Sequence, residues 1–351
     1  MKNLRVNQIL IPLVLLLLLS GCPGNKPAGT ETKKPVETGE SAVAAGQVAI
    51  GKETMLLLKD LAENGDYVNS REFPSLIKAS VVYNSLGSNV VILDIRSPLL
   101  FSQGHIKGAV NKRFEDLPVY FETGIKPFER DKIILVCDDG QLSGYAVSLL
   151  RLMGYGNTYA MRWGMSSWNR KYAESGWLKG LSGKYESKLE RTTNMKPAAV
   201  GMPELKTGLA SGAEISAERF KKLFAEGTGS VLITADEVFA NPGQYFIINY
   251  ERKDKYDDGH IPGSVRYKPN ATLGITAEMA TIPPDRTVVV YCGTGHNSAF
   301  VTAYLRLFGY DARTLKYGNN AFMYDWMKKD PAGLSWLPFS DADMNDFPVV
   351  K

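Results

Sequence analysis

The sequence predicts an α/β chain built from two tandem copies of one domain, each a mostly parallel central sheet flanked by helices. Three observations predict it. Gly104-His105-Ile106-Lys107-Gly108-Ala109 returns as Gly259-His260-Ile261-Pro262-Gly263-Ser264, and Cys137-Asp138-Asp139-Gly140 returns as Cys292-Gly293-Thr294-Gly295. Leu150-Arg151-Leu152-Met153-Gly154-Tyr155 likewise returns as Leu305-Arg306-Leu307-Phe308-Gly309-Tyr310, and all three landmarks share one offset of 155 residues. That period belongs to a duplicated domain, since solenoid repeats run at roughly 20–50 residues. Within each copy, short β-branched runs alternate with a helical pattern, the order that folds as a parallel sheet with crossover helices. A chain of 351 residues is long enough for two domains that each bury a core.

Taken in order, residues 1–21 read as an export leader: Lys2 and Arg5 form a basic start, and Ile9 to Leu19 an apolar run. An uncleaved membrane helix is the alternative, but the run is shorter than the ~20 residues a span needs and contains Pro12. Leu19-Ser20-Gly21-Cys22 resembles a bacterial lipobox. That resemblance implies cleavage before Cys22, a diacylglycerol on its thiol and an acyl chain on its freed amine, and more than one acyl chain makes anchoring stable. The expected location is the extracytoplasmic, periplasmic face of the bacterial cell envelope. Pro23, where an Asp would argue otherwise, favours the outer membrane in a Gram-negative host.

Residues 22–66 read as a tether followed by a short helix. The tether, rich in Gly, Pro, Thr, Lys, Glu and Ala, cannot bury enough surface to order itself, whereas Met55-Leu56-Leu57-Leu58 with Leu61 can form a helix. The first domain is placed at 67–180, a linker holding Pro197 and Pro203 at 181–212, the second domain at 213–335 and a tail at 336–351. In the first domain Val90–Leu93 and Lys132–Val136 read as buried strands, the second stopped by the Cys137 loop, with a helix over Val147–Met153. In the second, Phe246–Ile248, Thr287–Tyr291 and Phe300–Phe308 repeat that order. Ligands of such sheets bind beyond the carboxyl ends of the strands, where both cysteines fall.

Leu93-Asp94-Ile95-Arg96, then Gly104-His105-Ile106-Lys107-Gly108-Ala109, then a strand ending in Cys137 and a helix, resembles the rhodanese (thiosulfate sulfurtransferase-like) domain. The resemblance covers residues 68–180 and 213–335, with 43 residues from Asp94 to Cys137 and again from Asn249 to Cys292. It implies that Cys137 and Cys292 are nucleophiles. Each thiolate takes the outer sulfur of a donor such as thiosulfate, becomes a persulfide and passes the sulfur to a thiophilic acceptor, with no metal or organic cofactor. The implied cradles are Asp138, Asp139, Gly140, Gln141 and Leu142 in the first copy, and Gly293, Thr294, Gly295, His296 and Asn297 in the second. A loop of backbone N–H groups opening a helix is expected to lower the thiol pKa and hold an anion.

Both loops depart from the family pattern, which places an arginine five residues after the cysteine; here Leu142 and Asn297 stand there. Asp138 and Asp139 are expected to raise the Cys137 pKa and repel an anionic donor. The second loop carries no acid, and a protonated His296 would support a thiolate, so Cys292 is favoured as the anion-handling site. Against that, Asn249-Tyr250-Glu251 replaces Asp94-Ile95-Arg96. Asp94 and Arg96 read as a buried supporting pair. His105 and His260, in their repeated Gly-His-Ile turns, read as packing and hydrogen-bonding devices. Cys137 also reads as an inherited cysteine in a silent loop, Cys292 equally as silent or working, and His296 as a solvated loop residue.

Two function classes stay open: an envelope sulfurtransferase or persulfide carrier, and a catalytically silent rhodanese-fold binding or scaffold lipoprotein. A phosphatase or arsenate reductase of the related type needs a loop arginine, yet the next arginines, Arg151 and Arg306, lie well into the helices. Partners implied are the membrane, through lipid on Cys22, a small sulfur-containing anion or persulfide donor, and a thiol or protein acceptor. The net charge of +4 includes Lys2 and Arg5 of the leader, which leaves no basic excess for nucleic acid. With Cys22 lipidated, Cys137 and Cys292 are expected to remain free thiols, because each sits in the loop of its own domain.

Overall fold

A computed structural model describes residues 48–274 and 277–351. The leader, Cys22 and most of the tether lie outside the described residues, and those described form part of one compact unit beginning at Ala45. No described helix is long and apolar enough to cross a membrane.

Two five-stranded, wholly parallel sheets carry the fold. The first comprises β1 (Leu76–Ile77), β2 (Val90–Asp94), β3 (Val110–Asn111), β4 (Lys132–Val136) and β5 (Thr158–Met161), in the order β1-β5-β4-β2-β3. The second, β6 (Leu232–Ile233), β7 (Phe246–Asn249), β8 (Val265–Arg266), β9 (Val288–Tyr291) and β10 (Ala312–Leu315), has the equivalent order β6-β10-β9-β7-β8. The central strands are apolar on both faces because helices cover both: Ile133–Val136 and Val288–Tyr291 are buried throughout. Register sets the chemistry at their ends. Asp94 pairs with Val136 and Asn249 with Tyr291, so each upstream motif lies against the residue that precedes a cysteine.

Helix α1 (Lys52–Glu63) contains the Met55–Leu61 stretch. Helices α2 (Gln141–Leu152), α3 (Gly212–Glu226) and α4 (His296–Leu307) complete the frame. One hydrophobic core runs through both repeats, joining Tyr145 and Leu149 of α2 to Phe300 and Tyr304 of α4 and Phe220 and Phe224 of α3. Helix α1 serves the far repeat: Glu53 accepts the N–H groups of Thr207 and Gly208, and Thr54 donates to the Pro203 carbonyl at 2.8 Å.

The C-terminal segment crosses both repeats. Trp336 packs in the core of the second, and Asn320 then clamps the chain by donating to the Leu337 carbonyl and accepting the Phe339 N–H. Phe339 is fully buried against Trp163 and Trp177, with ring centroids 5.2 and 5.3 Å away. The last residues dock on the first repeat: Trp168 donates to the Pro348 carbonyl, Phe347 stacks on Tyr83, and Val350 forms an antiparallel bridge with His105.

Candidate active site

Each cysteine follows a central strand, and each is followed by a loop whose third residue is a left-handed glycine, Gly140 (φ 86°) or Gly295 (φ 73°), at the start of a helix. The N–H groups of Gly140 and Ser143 donate to Cys137 Sγ at 3.1 and 3.3 Å, the cradle expected of the loop. Both thiols are free, and both are buried at 4 % and 3 % exposure.

The expected lowering of the thiol pKa does not occur. Burial first, and the Asp139 carboxylate with Oδ1 3.6 Å from Sγ second, push Cys137 up to about 12. Cys292 is also raised, first by burial and then by Glu251, which outweigh the N–H groups of Ser298 and Thr294 that favour its thiolate. The second loop itself carries no acid, as expected, but a carboxylate from outside it acts on the thiol. Glu251 holds the position of Arg96, and its carboxylate accepts the N–H of Gly293 and abuts that glycine's Cα. At this point the first repeat has a guanidinium: Arg96 grips both Asp94 oxygens, donates to the Gly104 carbonyl, and lies 3.9 Å from Asp138.

His296 requires a second correction. Its ring does not serve Cys292 as a cation, because burial first and the Arg162 charge second hold its pKa down at about 3. Nδ1 faces Thr294 Oγ1 at 2.9 Å, and Nε2 accepts the N–H of Trp163 in the other repeat at 3.1 Å. Nor is it solvated: it is fully buried, stacked on Trp177. Gln141, its counterpart, makes the reciprocal contact. Gln141 Oε1 accepts the N–H of Tyr317 at 2.8 Å, and Nε2 donates to the carbonyls of Gly295 and Leu315. The two loops thus exchange one side chain each.

Trp163 and Tyr317, with φ of 65° and 63°, are strained left-handed residues at equivalent points beyond β5 and β10, and each is fixed by that exchange. The glycines that follow press on the cysteines. A Cβ on Gly164 would run into the carbonyl oxygen of Cys137, and one on Gly318 into that of Cys292. Gly318→Ala is expected to lower stability by about 1–3 kcal/mol, measured by urea unfolding, because the side chain adds a backbone clash to a positive φ.

The other expected residues are placed as follows. Leu142 and Asn297 are half-buried at the helix starts. His105 stacks on Phe101 with Nδ1 3.0 Å from that residue's carbonyl, and His260 stacks on Tyr256 with Nδ1 2.7 Å from its carbonyl. Both rings are engaged in their own turns. Sequence reasoning missed Trp163, Trp177 and Tyr317; the signal was present in Trp163-Gly164 and Tyr317-Gly318, an aromatic-glycine pair at the same place after each fifth strand.

Rhodanese-like domain family matches cover residues 78–171 and 234–325, which hold four of the five strands of each sheet and both cysteine loops. The chain belongs to the rhodanese-like family. A stretch of 86 residues resembles Thiosulfate sulfurtransferase GlpE of Pseudoalteromonas translucida (strain TAC 125), 34 % identical over 24 % of this chain and 79 % of that protein. Thiosulfate sulfurtransferase PspE of Escherichia coli (strain K12) is 32 % identical over 18 % of this chain and 60 % of its own length. Among solved structures, a rhodanese-related protein from Thermoplasma volcanium is 26 % identical, with 28 % of this chain and 91 % of that one covered and a TM-score of 0.22. Thiosulfate sulfurtransferase from Pseudomonas aeruginosa is 16 % identical, with 83 % and 48 % covered and a TM-score of 0.29.

Proposed function

We propose that this rhodanese-like chain is a lipid-anchored cell-envelope sulfurtransferase or persulfide carrier in which Cys292 holds the sulfur in transit. The observation that carries it is the difference between the two cradles. Cys137 lies against a carboxylate within its own loop, whereas the Cys292 loop, Gly293-Thr294-Gly295, is uncharged and turns the N–H groups of Thr294 and Ser298 on the sulfur. In the first half-reaction the Cys292 thiolate attacks the outer sulfur of thiosulfate; the new S–S bond forms as the old one breaks, and sulfite leaves with the electron pair. In the second, an acceptor thiolate attacks the persulfide's outer sulfur and returns Cys292 as thiolate. The relatives named thiosulfate sulfurtransferases support the reaction class.

The test is thiocyanate release from thiosulfate and cyanide by the full chain, compared with Cys292→Ser and Cys137→Ser. Loss with the first and retention with the second are expected; equal rates in the two variants reject the assignment. Burial of both thiols, with no arginine in either loop, favours the second reading, a silent scaffold module, and full cellular function of the double serine variant would establish it. Anchoring at Cys22 is part of the same proposal. Cys22→Ser is expected to move the protein from the membrane to the soluble envelope fraction.

A further inference from the structure

A cavity of about 190 Å³ lies between the first repeat and the C-terminal segment, lined by Lys78, Ser80, Arg162, Ser167, Asp343 and Asn345 among others. It is far larger than the roughly 30 Å³ share of one water, so a tetrahedral oxyanion fits. Arg162 is its unusual member. Among the described residues it makes no salt bridge, and its buried Nε has no hydrogen-bond partner. Its one ring contact is with Trp163, 5.2 Å from guanidinium carbon to centroid. Arg162 is half-buried, and removing charge from water without compensation is costly. Burial lowers the pKa of the guanidinium, and the Asp343 carboxylate opposes that shift.

The other groups around the cavity are mostly committed. Asp343 Oδ1 accepts Trp163 Nε1 at 3.1 Å, and Oδ2 accepts the N–H and hydroxyl of Ser340. Ser167 donates to the carbonyls of Arg162 and Gly164, and Asn345 donates to the Ser167 carbonyl. That leaves the half-buried Arg162 guanidinium without an acceptor in the fold, with the exposed Lys78 ammonium and Ser80 hydroxyl at the rim of the cavity. Two cations against one already engaged carboxylate give the cavity a net positive charge.

We propose that this cavity is an oxyanion site, in which Arg162 and Lys78 bind a small divalent anion of the sulfate, phosphate or thiosulfate kind. It lies outside both cysteine loops, yet Trp163, the residue after Arg162, is the one that donates to His296 beside Cys292. The site thus places an anion on the strand end that reaches the second loop.

The test is equilibrium dialysis of the full chain with labelled thiosulfate, sulfate and phosphate at fixed ionic strength. Saturable binding of one equivalent is expected, weakened at least tenfold by Arg162→Met, less by Arg162→Lys and several-fold by Lys78→Met. The Cys137→Ser, Cys292→Ser double variant is expected to bind labelled sulfate and phosphate as the native chain does, which separates this site from the sulfur-transfer reading. Tightest binding of thiosulfate would tie the cavity to sulfur transfer, and equal binding of all three would make it a general oxyanion site; both support the proposal. Absence of saturable binding, or binding that Arg162→Met and Arg162→Lys leave unchanged while both variants melt as the native chain does, overturns it.

Discussion

Cys137 is expected to react with iodoacetamide at pH 7.4 roughly a thousand times more slowly than free cysteine. Only the thiolate alkylates, and a pKa of about 12 against the ordinary ~8.5 removes that much of it. Burial at 4 % exposure slows the reaction further. In a Cys292→Ser background the rate should climb about tenfold per pH unit through pH 10, with no plateau. Asp139→Asn removes the nearest carboxylate while keeping its size, and should raise the rate at pH 7.4 about tenfold. A plateau below pH 9, followed by intact mass, would show that the loop stabilises a thiolate after all, and would return Cys137 to the list of working nucleophiles.

Acid is expected to weaken the fold through His296. In the unfolded chain its imidazole takes up a proton near pH 6.5, whereas burial keeps the folded form neutral down to about 3. The unfolded state therefore binds the extra proton throughout that window, and stability falls as pH drops, by about 1.4 kcal/mol per unit at the steepest. Between pH 6.5 and 3 the loss approaches roughly 4–5 kcal/mol, a large share of the 5–15 kcal/mol of an ordinary domain. His296→Gln installs the side chain that the first repeat uses at the equivalent place. Urea unfolding at pH 7 and pH 4.5 should show a smaller acid loss in that variant than in the native chain, and equal losses would dissociate acid sensitivity from His296.

What was legible in the sequence was whatever the duplication repeats. The common register identified both strands, both cysteines and the helices that follow, because those features depend on local periodicity and occur twice. What faces each thiol was less legible. Glu251 was visible as a missing arginine, but only the pairing of Asn249 with Tyr291 turns that lost cation into a carboxylate against the loop. His296 was assigned to its own cysteine because it is near in sequence, whereas its ring bonds to Trp163 of the other repeat, a contact that exists only when α2 and α4 pack together. The C-terminal segment has no periodicity, so nothing in it announced that Phe339 would be buried between two tryptophans.

That segment also sets an order of manufacture. Residues that shield the first repeat, Phe339, Phe347 and Val350, are synthesised long after the surfaces they cover at Tyr83, His105 and Trp168. At ~5–20 residues per second, the ribosome leaves those surfaces waiting for roughly ten seconds or more after Trp168 has been made. Wherever the chain folds, the first repeat keeps those surfaces uncovered until residues 339–350 have been made and can dock.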